Sequence, residues 1–194
     1  MKSTLEKRDT MQLTHYTDRL ILRVLDPSWA SKVCTFYEEN KDHFEPFEPK
    51  RVPNFYTFAF HSANLSYEYN EFLHFHYLRL YLFEKNHPNR IIGSICFSNI
   101  RTGSFLSCSI GYKIDYRYEG QGFTTEALNY TIHNVIFKEY GLHRIEAAIH
   151  PANIPSLRIM DKLGFEKEGI AKDFALLNDR WEDHIKYALI NKYN

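Results

Sequence analysis

Arg117-Tyr118-Glu119-Gly120-Gln121-Gly122-Phe123-Thr124 is the stretch whose residue types and spacing could hold a phosphate. Two glycines one residue apart let a backbone turn tightly and approach a ligand without Cβ interference. Consecutive N–H groups, followed by the positive end of a helix, would then face an anion. An ordinary helix-opening turn uses the same Gly-x-Gly, so the signal is weak alone. A Walker loop is excluded because GxxxxGK[ST] is absent, and a dinucleotide fingerprint because Thr125 stands where a third glycine is needed. A second signal follows in Asn153-Ile154-Pro155-Ser156 and Lys162-Leu163-Gly164-Phe165. Asn153 suits an N-cap, Pro155 and Ser156 a first helical turn, and Gly164 a helix stop. Capping explains each residue separately. It does not explain why both signals follow one strand–helix–strand order.

Other chemistries find little support. The three cysteines, Cys34, Cys96 and Cys108, lack CxxC spacing, so neither a disulfide framework nor a tetrahedral zinc site is expected. No GxSxG elbow is present, and no Cys–His pairing stands out. His74 and His76 could share a strand face, but no third metal ligand has suitable spacing. His61, His143, His150 and His184 read as packing or surface residues. No metal is expected.

The elements that must position these residues follow from periodicity and breakers. Residues 1–17 are polar and aperiodic and read as a poorly ordered arm. Arg19–Asp26 reads as a strand, and Pro27 opens a helix to about Lys41. Residues 42–54 carry three prolines and are expected to be irregular. The aromatic-rich residues 55–75 read as a helix. Strands are expected at 77–84, 90–98 and 105–114, the last with Phe105, Ser107 and Ser109 on one face and Leu106, Cys108 and Ile110 on the other. Residues 124–140 have strong helical spacing, ended by Gly141. A strand at 144–149, a helix at 154–163 and a hairpin of 165–177 with 181–190 complete the pattern. The fold class is α/β (α+β): a mixed, mostly antiparallel sheet of about seven strands flanked by about four helices, in one domain over 18–192.

Bulk composition is that of an ordinary globular protein. Of 194 residues, 44% are hydrophobic and 25% charged, which excludes disorder, collagen and coiled coil. Aromatics reach 16%, which suits an apolar cleft or a well-packed sheet. Lys plus Arg is 24 and Asp plus Glu is 24, so there is no basic excess for nucleic acid or anionic membrane. No run of 18 apolar residues occurs, and the first residues lack a signal-peptide core. A cytoplasmic protein is expected, as monomer or homodimer.

The segment IGYKIDYRYEGQGFTTEAL…LHRIEAAIHPANIPSLRIMDKLGFEKEG resembles the acetyl-CoA core of the GNAT acetyltransferases. Their [QR]-x-x-G-x-[GA] signature falls on Arg117-x-x-Gly120-x-Gly122, and their Asn-x-x-Ser block on Asn153 and Ser156. NKDHFEPFEP, FSNIRTGSF and EKEGIAKDF resemble the RimJ/RimL ribosomal-protein N-terminal acetyltransferases, RimJ type most closely. The similarity spans about residues 18–190.

The resemblance implies a function and a set of roles. Acetyl-CoA would be the cosubstrate, and its acetyl group would pass directly to a primary amine in a ternary complex. The acceptor implied is the α-amine of a protein, plausibly ribosomal; a small amine (polyamine, amino acid or drug) and a non-catalytic acyl-CoA-binding module are the alternatives. A strand ending at Ile114 would splay from its neighbour and bond the pantetheine amides. The amides of Arg117, Tyr118, Glu119, Gly120, Gln121, Gly122 and Phe123, with Thr124, would hold the pyrophosphate. Asn153 would bond near the pantetheine arm. Ser156 would lie near the thioester sulfur and reprotonate the thiolate. RimL-type enzymes place a glutamate where Ala175 stands, a departure shared with the RimJ type, so the base does not carry over. Among Glu48, Glu146 and Asp183, the loop residue Glu48 is the candidate, with water as the alternative. Glu119 also departs from the family, which commonly has a basic residue there; its charge is expected to weaken cofactor binding.

Overall fold

Among the described residues eight strands form one sheet in the order β1-β2-β3-β4-β5-β6-β8-β7. The computed structural model describes residues 12–192. The strands are β1 (Thr14–Tyr16), β2 (Leu20–Arg23), β3 (Leu78–Glu84), β4 (Gly93–Arg101), β5 (Ser107–Ile114), β6 (Arg144–Ile149), β7 (Glu166–Leu177) and β8 (Arg180–Ile190). Every pair is antiparallel except β5 with β6. Among the described residues five α-helices accompany them: α1 (Ala30–Glu39), α2 (Lys41–Phe44), α3 (Phe58–Leu73), α4 (Phe123–Tyr130) and α5 (Ile154–Lys162).

Both faces of the sheet are covered, and the central strands therefore read as nearly continuous apolar runs. Leu20, Leu22, Leu80 and Leu82 point into one core with Ile132, Val135 and Ile136 from the helical segment after α4. The alternate residues Ile21, Tyr81 and Phe83 point into the other, under Val33 and Phe36 of α1 and Leu65 of α3. Period-two alternation assigns each side chain its face.

Several local expectations are corrected. Thr14–Tyr16, assigned to the polar arm, pairs with β2, with His15 buried; residues 1–11 lie outside the described residues. A polar edge strand has no apolar run to betray it. The expected helix from Pro27 breaks at Asn40, and residues expected to be irregular form α2 and a 3-10 turn at Glu45–Phe47. The strand expected from Phe105 starts at Ser107, since Leu106 has φ 41° and Phe105 is exposed. The helix expected over 124–140 is α-helical only to Tyr130 and continues as a π-helix over Thr131–Glu139, with Tyr140 N–H bonding the Val135 carbonyl.

The feature that makes a cleft is the parallel pair. β5 and β6 are paired only through Ser107–Arg144, Cys108–Ile145 and Ser109–Glu146. Beyond that, β5 continues to Ile114 on β4 alone, and β6 continues to Ile149 on β8 alone. The strands part, and their facing main-chain groups are left without a ladder partner, the splay that the family resemblance implied.

Candidate active site

A cleft of about 670 Å³ occupies the splay, bounded by the loop after β5, the first turn of α5 and the segment after α2. The loop is held from outside. The Asp115 carboxylate accepts from the Arg117 amide at 3.0 Å and grips the Arg117 guanidinium, which also pairs with Glu39. Burial pushes the Asp115 carboxyl up, but these bonds from Arg117 outweigh it and hold it below its ordinary value. Gln121 turns back to donate to the Arg117 carbonyl. Arg19 of the β1–β2 turn donates to the Gln121 carbonyl at 3.0 Å, lies 4.3 Å from the Phe123 ring and pairs with Glu126 at 2.6 Å.

Consequently the side chains of Arg117 and Gln121 are spent on bracing the loop. Ile114, Tyr118, Glu119, Gly120, Gly122, Phe123 and Thr124 line the cleft, as do Asn153 and Ser156. Gly120 and Gly122 have φ 69° and 81°, and Gly122 starts α4 from that left-handed conformation. A Cβ on Gly120 would meet nothing within 4 Å, so backbone angle and not protein crowding calls for glycine there. Glu119 is paired with His43 at 3.0 Å. Arg158 and Lys162 of α5 also line the cleft and add positive charge that the sequence reading missed.

At the start of α5, the Asn153 side chain accepts from the Ser156 amide at 3.2 Å, capping the helix. Tyr112 of β5 donates its hydroxyl to the Ser156 carbonyl at 3.3 Å. Burial pushes the Tyr112 phenol up to about 12, so it stays protonated at neutral pH. Tyr112 lines the cleft and was also missed, because strand periodicity gives its face and not its partner.

Glu48 lines the cleft opposite, but its carboxylate is gripped by Lys113 and Arg51. The other carboxylates offered by the sequence serve the framework: Glu146 pairs with Arg144 at 2.8 Å, and Asp183 with Lys172 at 2.6 Å. Ala175 sits directly across the β7–β8 ladder from Glu182. His150 and His184, read as packing or surface residues, both line the cleft, with ring centroids 5.7 Å apart. His61 is buried between Tyr37 and Phe55. His74 and His76 stack on each other at 6.0 Å.

A forked parallel pair, a glycine loop opening a helix and a second helix aimed at the fork are what a thioester of a long nucleotide-tailed arm requires, and residues 19–166 match the Acetyltransferase (GNAT) domain family. The chain belongs to that family and is an acetyl-CoA-dependent N-acetyltransferase. It is 37% identical to the [Ribosomal protein uS5]-alanine N-acetyltransferase of Escherichia coli, over 89% of this chain and 88% of that one. It is 34% identical to the Probable N-acetyltransferase YjcK of Bacillus subtilis, over 89% and 94%. The ribosomal-protein-S5-alanine acetyltransferase of Vibrio fischeri superimposes with a TM-score of 0.88 at 33% identity, covering 94% of this chain and 98% of that one. Within the family the chain is RimJ-like. Among the described residues no helix is long and apolar enough to cross a membrane.

Proposed function

We propose that this enzyme acetylates the N-terminal α-amine of a protein, with ribosomal proteins as the acceptor class. The observation that carries this reading is the extent of the match to the uS5-alanine enzyme. It runs through nearly the whole of both chains, so it includes the segments that border the acceptor side of the cleft as well as the cofactor core.

Acetyl-CoA supplies the acetyl group as a thioester. The loop amides from Arg117 to Phe123 and the side chains of Arg158 and Lys162 offer donors and charge for its phosphates. The unpaired main-chain groups of β5 near Ile114 suit the pantetheine amides, and an N–H on the same edge would stabilise the tetrahedral oxyanion. Asn153 fixes the first turn of α5. Ser156 returns a proton to the departing thiolate, with the Tyr112 phenol beside it. No protein nucleophile is needed, because the amine attacks the thioester directly. Glu48 has its lone pairs engaged by two cations, and its role in this reading is to hold Lys113 and Arg51 at the cleft wall.

The test is a thiol-release assay with acetyl-CoA and peptides beginning with alanine or serine, beside polyamines and free amino acids. The reading expects mass increase on the peptide α-amine and little turnover of the small amines. Turnover confined to small amines overturns the acceptor assignment, and absence of turnover with bound acetyl-CoA favours a binding module.

A further inference from the structure

One end of the cleft holds two imidazoles in contrasting hydrogen-bonding states. His150, just past β6, accepts the Ala152 amide at its Nδ1 (3.1 Å), so its neutral form carries the proton on Nε2, which faces Glu182 Oε2 at 3.7 Å. Its lone pair is taken. His184 on β8 is the reverse. Its Nδ1 lies 3.1 Å from the Glu182 carbonyl, which can only accept, so Nδ1 carries the proton and Nε2 presents the lone pair. That nitrogen has no hydrogen-bond partner among the described residues, and His184 lines the cleft.

The fold holds this ring firmly. Register slips between Ala171–His184 and Ala175–Glu182, so four steps of β7 face two of β8. The slip is a bulge, with Asp173 at φ 46° and its amide bonded to Asp183 at 3.0 Å. Bulges re-aim side chains, and this one sets Phe174 against His184, centroids 5.2 Å apart. His150 meets the same ring edge-on from just past β6.

We infer that His184 Nε2 is the group that takes the proton from the attacking nucleophile. This rests on acetyl transfer itself and not on the choice of acceptor. A free amine attacks the thioester carbonyl and forms the C–N bond, and its surplus proton passes to Nε2. The C–S bond then breaks, the thiolate takes the Ser156 hydroxyl proton, which solvent replaces, and the imidazolium releases its own to solvent. The charged and titratable groups around His184 are His150 just past β6, Glu182 and Asp183 on its own strand, and Lys172, paired to Asp183, from β7.

The experiment measures thiol release from acetyl-CoA in two arms, with an N-terminal alanine peptide and with water as acceptor. The water arm has no titrating amine and does not depend on the choice of acceptor, so failure of the peptide reading shows in the peptide arm alone. His184→Asn keeps a donor for the Glu182 carbonyl and loses the basic nitrogen. His184→Gln serves as the second variant. The expected result is a kcat lower by roughly 10²–10⁴-fold in the arms that turn over. Calorimetric affinity for coenzyme A should be unchanged, and the acid limb of the water-arm profile should disappear. His150→Gln should keep that limb. Either His184 variant retaining parental kcat and limb overturns the assignment. So does a wild-type water-arm profile that is flat between pH 5 and 8, or a limb that His150→Gln abolishes.

Discussion

The hydroxyl of Tyr112 and the main-chain carbonyl of Ser156 are 3.3 Å apart, tying the free edge of β5 to the first turn of α5. The helix cap at this turn belongs to Asn153, whose side chain accepts the Ser156 amide. Alanine at 156 keeps that amide, so Ser156→Ala tests the hydroxyl without removing the cap. The expected outcome is a kcat lower by roughly 10²–10⁴-fold, with coenzyme A affinity and melting temperature nearly parental. Ser156→Cys, which retains a proton donor, should keep more activity than alanine. Asn153→Ala should instead cost about 0.5–2 kcal/mol of stability. Parental turnover in a folded Ser156→Ala variant would transfer proton return to Tyr112 or water, and Tyr112→Phe would then decide between them.

Gly120 shows how the phosphate loop can be probed. A valine there meets no protein atom within 4 Å at its Cβ, but φ is 69°. The new side chain must either strain the backbone or tilt the amides away from their common focus. Gly120→Val should weaken coenzyme A by more than tenfold, over about 1.4 kcal/mol. Calorimetry with unchanged affinity would remove this loop from the cofactor site.

Glu119 borders the same loop, 3.0 Å from the His43 ring. Opposite Arg158 and Lys162 it is the charge that disfavours a pyrophosphate. Glu119→Lys should tighten coenzyme A by roughly threefold to tenfold at low ionic strength, with the gain shrinking as salt screens it. Weaker binding at all salt concentrations would mean that the His43–Glu119 pair positions the loop and outweighs the repulsion.

How legible these features were depends on the range of the interactions behind them. The two-faced strands β2 and β3, the glycine loop and the Asn153 cap are local, written in periodicity and in the φ that glycine alone adopts cheaply. Thr14–Tyr16 escaped because an edge strand with one buried histidine has no apolar signature. The grip on Glu48 escaped because Arg51, three residues on, is only half of it, and Lys113 lies 65 residues away and meets the carboxylate only in the folded sheet. His184 escaped for a related reason: a histidine in a strand announces neither its tautomer nor the bulge opposite it.

Glu48→Gln separates a proton-accepting role from a framework one. The carboxylate is mostly buried and joined to both Lys113 and Arg51, so losing its charge leaves two cations at the cleft wall. Removing one partner of a buried charge cluster typically costs about 3–5 kcal/mol, and partial exposure here brings the expected loss toward about 2 kcal/mol. The acid limb of the acetyl-CoA hydrolysis profile should survive in the variant. A stable Glu48→Gln protein that loses this limb would make Glu48 the base.

His61 gives a pH dependence of stability that is separate from catalysis. It is buried against Tyr37, Phe55 and Phe60, and burial, helped by the nearby Arg51 charge, lowers its pKa from 6.5 to about 4. Between those values the unfolded chain binds a proton that the folded chain refuses. Stability from this residue is therefore complete above pH 6.5 and falls as pH drops toward 4, by at most about 1.4 kcal/mol per pH unit. His61→Phe removes the titrating group and keeps an aromatic ring in the cluster. Denaturant unfolding at pH 7.5, 6, 5 and 4.5 should show wild type losing stability faster than His61→Phe below pH 6.5, the two lines diverging as acid is added. Parallel lines through that window would mean that His61 takes up its proton in the folded state as readily as in the unfolded one, and that the aromatic cluster opens to admit it.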